Sequence, residues 1–256
     1  ADLVLKILRK LRDPKASVRE IGELVRLDPG LHVKILRTVN SAAFGLRTEV
    51  TSVRYAVTML GRSRTESIVL THAMQESLPT AACRSLRLRQ FWTTSLLRAC
   101  VAHQLSRLLH PESADFSFSA GMLQDLGRIV IAAAKPSHYD RVLREWQRQL
   151  HEPLIKIEKD HLGFDHQLIG AKVASSWELP SLLVTAISQH HLLDEAEQVP
   201  TAVRLVSLIH EMGDDNGLAE LKRVVLERYD VPERELDRTL NSAQSQVESL
   251  AQALSG

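Results

Sequence analysis

What this chain has little of narrows its class before any motif is read. Its two cysteines, Cys83 and Cys100, sit without a metal-ligand or redox spacing, so a disulfide framework is excluded and reduced thiols in a cytoplasm are expected. Nine prolines and eleven glycines in 256 residues exclude a collagen-like or low-complexity chain. Neither sign of charge is in excess: 32 Lys and Arg face 31 Asp and Glu, which leaves no global field for nucleic acid or anionic lipid, so such a partner would need a local patch. Long apolar runs are missing too. The longest, Ile129 to Ala134, is far too short to cross a bilayer, and no secretory leader pattern opens the chain, so no membrane insertion is expected. There is no glycine-rich phosphate loop, no Gly-x-Ser-x-Gly elbow, no His-Glu-x-x-His and no Cys-x-x-Cys. The first residue is not Met and the chain opens inside a helical pattern, which suggests an excerpt of a longer protein.

What is present is helical spacing from end to end, and the expected class is all-α. Leu3, Val4, Ile7, Leu8 and Leu11 share one face before Asp13-Pro14 stops the first helix. Ser17 and Glu20 have the capping-box spacing, and Asp28-Pro29 opens the next helix, whose stripe is Leu31, Ile35, Leu36 and Val39. Thr51-Ser52 caps a helix to Leu60, Gly61 is a left-handed stop, and another helix runs towards Met74. Beyond a break at Leu78-Pro79-Thr80, helices are expected at 86–109, 117–134, 136–150, 153–162, 166–177, 180–191 and 200–212, with two more in 217–256. This gives three segments: an N-terminal helical block at 1–78, a bundle at 86–213 packed with it, and a helical C-terminal extension at 214–256. In the last helix Leu236, Leu240, Ala243, Val247, Leu250 and Leu254 follow coiled-coil spacing. Plain packing against the body explains that seam, and a homodimer through 232–256 is the alternative.

Chemistry has to come from the histidines. His32, His72, His110, His138 and His151 have no acidic or histidine partner at a telling spacing, and His103 reads as a packing residue. Asp125, His161, His166, His190, His191 and His210 are more informative. Asp125 lies between Leu123 and Leu126, where a carboxylate needs a partner, while His166 opens a helix and His190-His191 closes one, so capping competes with metal binding. Arg84, Arg87 and Arg89, and the stripe Arg141, Arg144 and Arg148 interrupted by Glu145, are the candidate nucleic-acid contacts, although such stripes are usually solvated faces.

Asp28 to Gly45 with its Asn40-Ser41-Ala-Ala-Phe-Gly45 end, Phe91-Trp92, Gly121 to Gly127, Gly163-Phe-Asp-His166, Trp177 to Pro180 and Ala186 to His191 together resemble the HDOD domain family. The resemblance runs from about residue 3 to 213. It implies an N-terminal helical block on a degenerate bundle related to the HD metal-dependent phosphohydrolases, whose relatives act on cyclic di-GMP. On the HD metal-ligand pattern the leading His falls at Thr94, the His of the dyad at Gln124 and the late Asp at His210, while Asp125, His166, His190 and His191 match. The resemblance therefore implies a vestigial pocket of Thr94, Gln124, Asp125, His166, His190, His191 and His210, with no bound metal, no cofactor and no catalysis. The implied role is a bacterial signal-transduction output module acting through a protein partner. The alternatives are residual phosphohydrolase or cyclic nucleotide binding, for which Arg128 could meet a phosphate though it reads as an exposed helix-end residue, and nucleic-acid binding. Asn40, Ser41 and Arg128 are the candidate contacts between blocks or with a partner.

Overall fold

The structure, a computed structural model, describes residues 2–77, 83–149, 152–194, 198–211 and 217–254. Those residues are helical with no strand among them, as the apolar spacing requires. They divide into two compact units, one formed by 1–77 with 244–256 and the other by 78–243.

The first unit contains α1 (Asp2–Arg12), α2 (Val18–Val25), α3 (Pro29–Val39) and α4 (Val53–Ser77). The Ser17–Glu20 capping box forms in both directions, and Asp28 accepts from Leu31 N with Pro29 in the first turn. The apolar stripes meet in a core that includes Ile7, Ile21, Leu31, Ile35, Val57 and Val69. Arg62 stops α1 by placing Nη1 against the carbonyls of Leu11 at 2.9 Å and Asp13 at 2.8 Å, which satisfies acceptors that a helix end leaves open. Gly61 interrupts α4 with a φ of 76°, so α4 is the two expected helices joined across a kink at the expected stop. Asn40 ties the end of α3 to the strand-free segment before α4: its amide donates to Val50 O at 2.8 Å and accepts from Val50 N at 2.7 Å. Ser41 Oγ donates to Thr38 O at 2.7 Å, a helix-end bond. His72 does have an acidic partner, contrary to its expected isolation, because the loop before α3 brings the Asp28 carboxylate to 3.3 Å across 44 residues.

The second unit contains α5 (Leu88–Leu109), α6 (Ala114–Leu123), α7 (Leu126–Ala134), α8 (Pro136–Arg148), α9 (Leu154–Leu162), α10 (His166–Ser176), α11 (Ser181–Gln189), α12 (Thr201–Leu205), α13 (Leu218–Arg228) and the start of α14 (Glu233–Leu254). Two expectations are corrected here. The single helix at 117–134 is broken at Gln124-Asp125, where Asp125 leaves the helical region at φ −94°, ψ 13°. The helix at 200–212 ends early in a short 3₁₀ turn at 206–208, and the chain extends at Ile209, whose carbonyl accepts from Arg98 Nε at 2.8 Å. The α14 seam residues Leu236, Leu240, Ala243, Val247 and Leu250 are buried in the chain itself. The side chain of Leu254 lies outside the described residues.

Close helix approach in this unit rests on glycines. A Cβ on Gly127 of α7 would lie 2.0 Å from the backbone oxygen of His166 at the start of α10. One on Gly170 would lie 2.9 Å from an Ile187 methyl of α11. With hydrogen in place of the methyl, α7, α10 and α11 bring their ends to one point.

Candidate metal centre

The break between α6 and α7 turns Asp125 inward, Asp165 caps α10 by accepting from Leu168 N at 2.9 Å so that His166 begins the helix, and α11 ends on His190. These three helix ends deliver Asp125, His166, His190 and His191, and one donor atom from each lies within 4.8 Å of all the others. His166 Nε2 is 3.4 Å from His190 Nε2 and 3.3 Å from His191 Nε2. Asp125 Oδ1 is 3.3 Å from His190 Nε2 and 3.5 Å from His166 Nε2. The centre is deep: Asp125 is 4%, His166 1% and His190 0% exposed.

Each ring is oriented by a second bond. Glu158, fully buried, takes the His166 Nδ1 proton at 2.7 Å and the His166 backbone N–H at 2.8 Å, while its other oxygen accepts from the Tyr139 hydroxyl at 2.6 Å. His190 Nδ1 faces Ile187 O at 2.8 Å, an acceptor that can only be met by N–H. These partners place a proton on Nδ1 of both rings, so in the neutral form each Nε2 carries a lone pair that points into the centre. It follows that the 3.3 Å approach of His190 Nε2 to Asp125 Oδ1 is no hydrogen bond of the neutral ring, and Oδ1 is a buried oxygen without a hydrogen-bond partner.

The other carboxylate oxygen, Asp125 Oδ2, belongs to cations. Arg98 Nη1 donates to it at 2.7 Å and Arg128 Nη1 at 3.1 Å, and Arg128 also makes a two-pronged pair with Glu211 at 2.8 and 2.9 Å. Arg128 is thus 2% exposed, enclosed by Phe91 and Trp146 within 5.5 Å of its guanidinium carbon, which corrects its reading as an exposed helix-end residue. Burial works against the Asp125 charge, but Arg98, the contact with His190, His166 and Arg128 hold its pKa well below the usual carboxylate range. Burial also depresses His166, yet the Glu158 charge and hydrogen bond raise it overall. Burial keeps His190 below its ordinary value, and burial with the neighbouring ring charges pushes His191 well below.

The remaining pocket candidates are placed differently. Thr94 and Gln124 are buried, and neither side-chain amide atom of Gln124 has a hydrogen-bond partner. His210 is half-buried and is not among the converging donors, while its neighbour Glu211 reaches the network through Arg128. His161 bonds to Glu145 at 2.7 Å on the surface and is likewise outside the centre. Asn40 and Ser41 are bonded inside the first unit and Arg128 inside the second. Sequence reading missed Arg98, Tyr139, Glu158 and Glu211. The available signal was placement: Glu158 takes a slot on the apolar stripe of Leu154 and Ile157, and Arg98 sits between the buried residues Leu97 and Ala99.

The donor set suits a metal of the kind the HD relatives bind. A tetrahedral ion held at about 2.0–2.1 Å requires its donors to stand about 3.3–3.4 Å apart. Four of the six separations between donors, 3.3 to 3.5 Å, fall there or within 0.1 Å of it, and the other two are no more than 4.8 Å. Asp125, His166, His190 and His191 would hold the ion, and Glu158 and Ile187 O would orient two of the rings.

Comparison with known proteins supplies the context. The profile described as HDOD domain matches residues 1–193. A curated uncharacterized protein of Treponema pallidum is 24% identical over 254 residues, covering 96% of this chain, which spans 48% of that protein's length. Among solved structures, a protein of Shewanella amazonensis provisionally named a phosphohydrolase is similar with a TM-score of 0.75 at 22% identity, covering 99% of this chain and 93% of that one. An HDOD domain protein of unknown function from Geobacter sulfurreducens gives 0.73 at 20% identity, with 99% and 92% covered. At these identities the likeness is one of fold.

Proposed function

Because this chain belongs to the HDOD domain family, we propose that it works as a regulatory module that transmits a signal by contact with a protein partner and does not hydrolyse phosphodiesters. The observation that carries this reading is the division of Asp125. Its Oδ2 is held by Arg98 and Arg128, and its Oδ1 is enclosed by histidines that are at most 1% exposed. Hydrolysis by a metal site needs an open position for water and a path for the substrate phosphorus. The two guanidinium groups on Oδ2 leave a single Asp125 oxygen for a metal, and the dyad histidine that would complete a hydrolytic site is replaced by Gln124.

Partner binding has support on the first unit, which carries an open cavity of about 760 Å³. Arg19, Arg26 and Arg54 line it, with Glu23 the one acidic lining residue, so it complements an acidic protein segment. Nucleic acid is less well served by the stripe at 141–148, because Arg144 pairs with Asp140 at 2.9 Å and Glu145 with His161. Cys83 and Cys100 are buried and not joined in a disulfide, which suits a cytoplasmic setting, and no described helix is long and apolar enough to cross a membrane.

The test is hydrolysis of cyclic di-GMP and of an activated phosphodiester by the full chain with added Mn²⁺, Fe²⁺ or Zn²⁺. The expected result is no turnover above the metal alone. Turnover that Asp125→Ala abolishes would overturn the proposal.

A further inference from the structure

We propose that the cavity of the first unit, between α2 and the start of α4, is a docking site for a protein segment that carries a phosphorylated serine or threonine with a basic residue close by. It rests on the reading of this chain as a partner-binding module and names the chemistry of that partner.

The arginines converge around one glycine. On α2 and its C-cap, Arg19, Gly22, Glu23 and Arg26 follow the i, i+3, i+4, i+7 spacing of a single helix face, and all four line the cavity. A Cβ on Gly22 would lie 3.4 Å from the Cα of Arg54, so α4 begins against the α2 backbone at that point. Arg19 and Arg26 stand one turn to either side of Gly22, about 4.5 and 6 Å along the axis. Among the described residues Arg19 and Arg54 are in no ion pair. Arg26 meets Glu23 at 3.5 Å with both side chains more than 60% exposed, a contact too wet to hold it back from a ligand. The hydroxyls of Thr51 and Ser52 line the same space, and Ser52 Oγ accepts from Tyr55 N at 3.4 Å, which leaves its own proton to donate.

Charge balance selects the ligand. Three arginines and one glutamate leave a formal surplus of two positive charges on the lining, and a phosphate monoester carries about −1.5 to −2 at neutral pH. Its oxygens also accept from guanidinium in two-pronged pairs. Glu23, in the middle of the basic stripe, repels a second anion, which works against a nucleoside polyphosphate and favours a ligand that brings a cation beside its phosphate. A peptide supplies both. Tyr55 also lines the cavity and is 52% exposed, an aromatic face on which the basic residue can rest.

The probe is a short fluorescein-labelled peptide with a central phosphoserine and a lysine beside it, titrated with the full chain by fluorescence anisotropy at near-physiological salt. It should bind at least about 10-fold more tightly than the same peptide with serine or glutamate at the centre. Arg19→Ala and Arg54→Ala, both at exposed positions, should each weaken binding about 10-fold, and Arg144→Ala in the second unit should leave it unchanged. Glu23→Gln should remove the advantage of the lysine-bearing peptide over a version with alanine in place of lysine. No preference for the phosphate, or affinity unchanged in both Arg19→Ala and Arg54→Ala, would overturn the proposal. So would adenosine monophosphate displacing the peptide at an equal concentration, which would mark a nucleotide site. These readouts are separate from the hydrolysis assay, in which turnover alone counts against the regulatory reading.

Discussion

At the scale of single residues, the second unit is organised around one carboxylate. Asp125 contacts two guanidinium groups through Oδ2 and two imidazoles through Oδ1, and Arg98, 3% exposed, makes the shortest of these contacts at 2.7 Å. Removing one member of such a pair leaves an uncompensated buried charge and also frees the Ile209 carbonyl that Arg98 Nε caps. Arg98→Ala is therefore expected to lower stability by about 3 kcal/mol or more, read as the shift of the urea midpoint at constant slope. A loss below about 1 kcal/mol would mean that Arg128 alone holds the carboxylate. The residue scale was half legible. Asp125, His166, His190 and His191 stood out by type, whereas Arg98 and Glu158 were hidden because charged residues in helices are nearly always solvated. Only a charge on an apolar stripe, as at Glu158, marked the exception.

Whole helices meet because of what is absent between them. The methyl group that Gly127→Ala adds would lie 2.0 Å from a backbone oxygen of α10, which cannot rotate away. At Gly170 the obstacle is an Ile187 side-chain methyl at 2.9 Å, which can shift. Thermal unfolding should therefore show Gly127→Ala costing about 3 kcal/mol or more and Gly170→Ala about 1–2 kcal/mol. Equal costs would show that α7 does not press on α10 as tightly as the separation indicates. Caps, prolines and hydrophobic spacing made the element starts at Val18, Pro29 and His166 legible, since each rests on atoms within four residues. The break at Gln124-Asp125 was not legible. Its sequence, Leu123-Gln-Asp-Leu126, continues a helical pattern, and the turned-in Asp125 is held by Arg98 of α5 and meets histidines of α10 and α11.

For the molecule as a whole, the two units allow the effect of a metal to be located. All four donors lie in the unit of residues 78–243. An ion that binds only the folded state at 100 times its dissociation constant contributes about 2.7 kcal/mol. In scanning calorimetry of the chain loaded with Zn²⁺, chelation should therefore lower the transition of that unit by about 5–10 °C and leave any separate transition of the other unit in place. Two transitions falling together would show that the units unfold as one cooperative body.

By itself the sequence determined the all-α class, most helix starts and membership of the HDOD family, because periodicity, caps and short motifs are local properties of the chain. Only the tertiary structure decided which ionisable groups meet. Asp125, His166 and His190 are up to 65 residues apart, and their separations of 3.3 to 3.5 Å depend on three helix ends converging past Gly127 and Gly170. The Asp125 carboxylate is held by Arg98, 27 residues away, and the His166 ring by Glu158 of the preceding helix, bonds that no helical periodicity records.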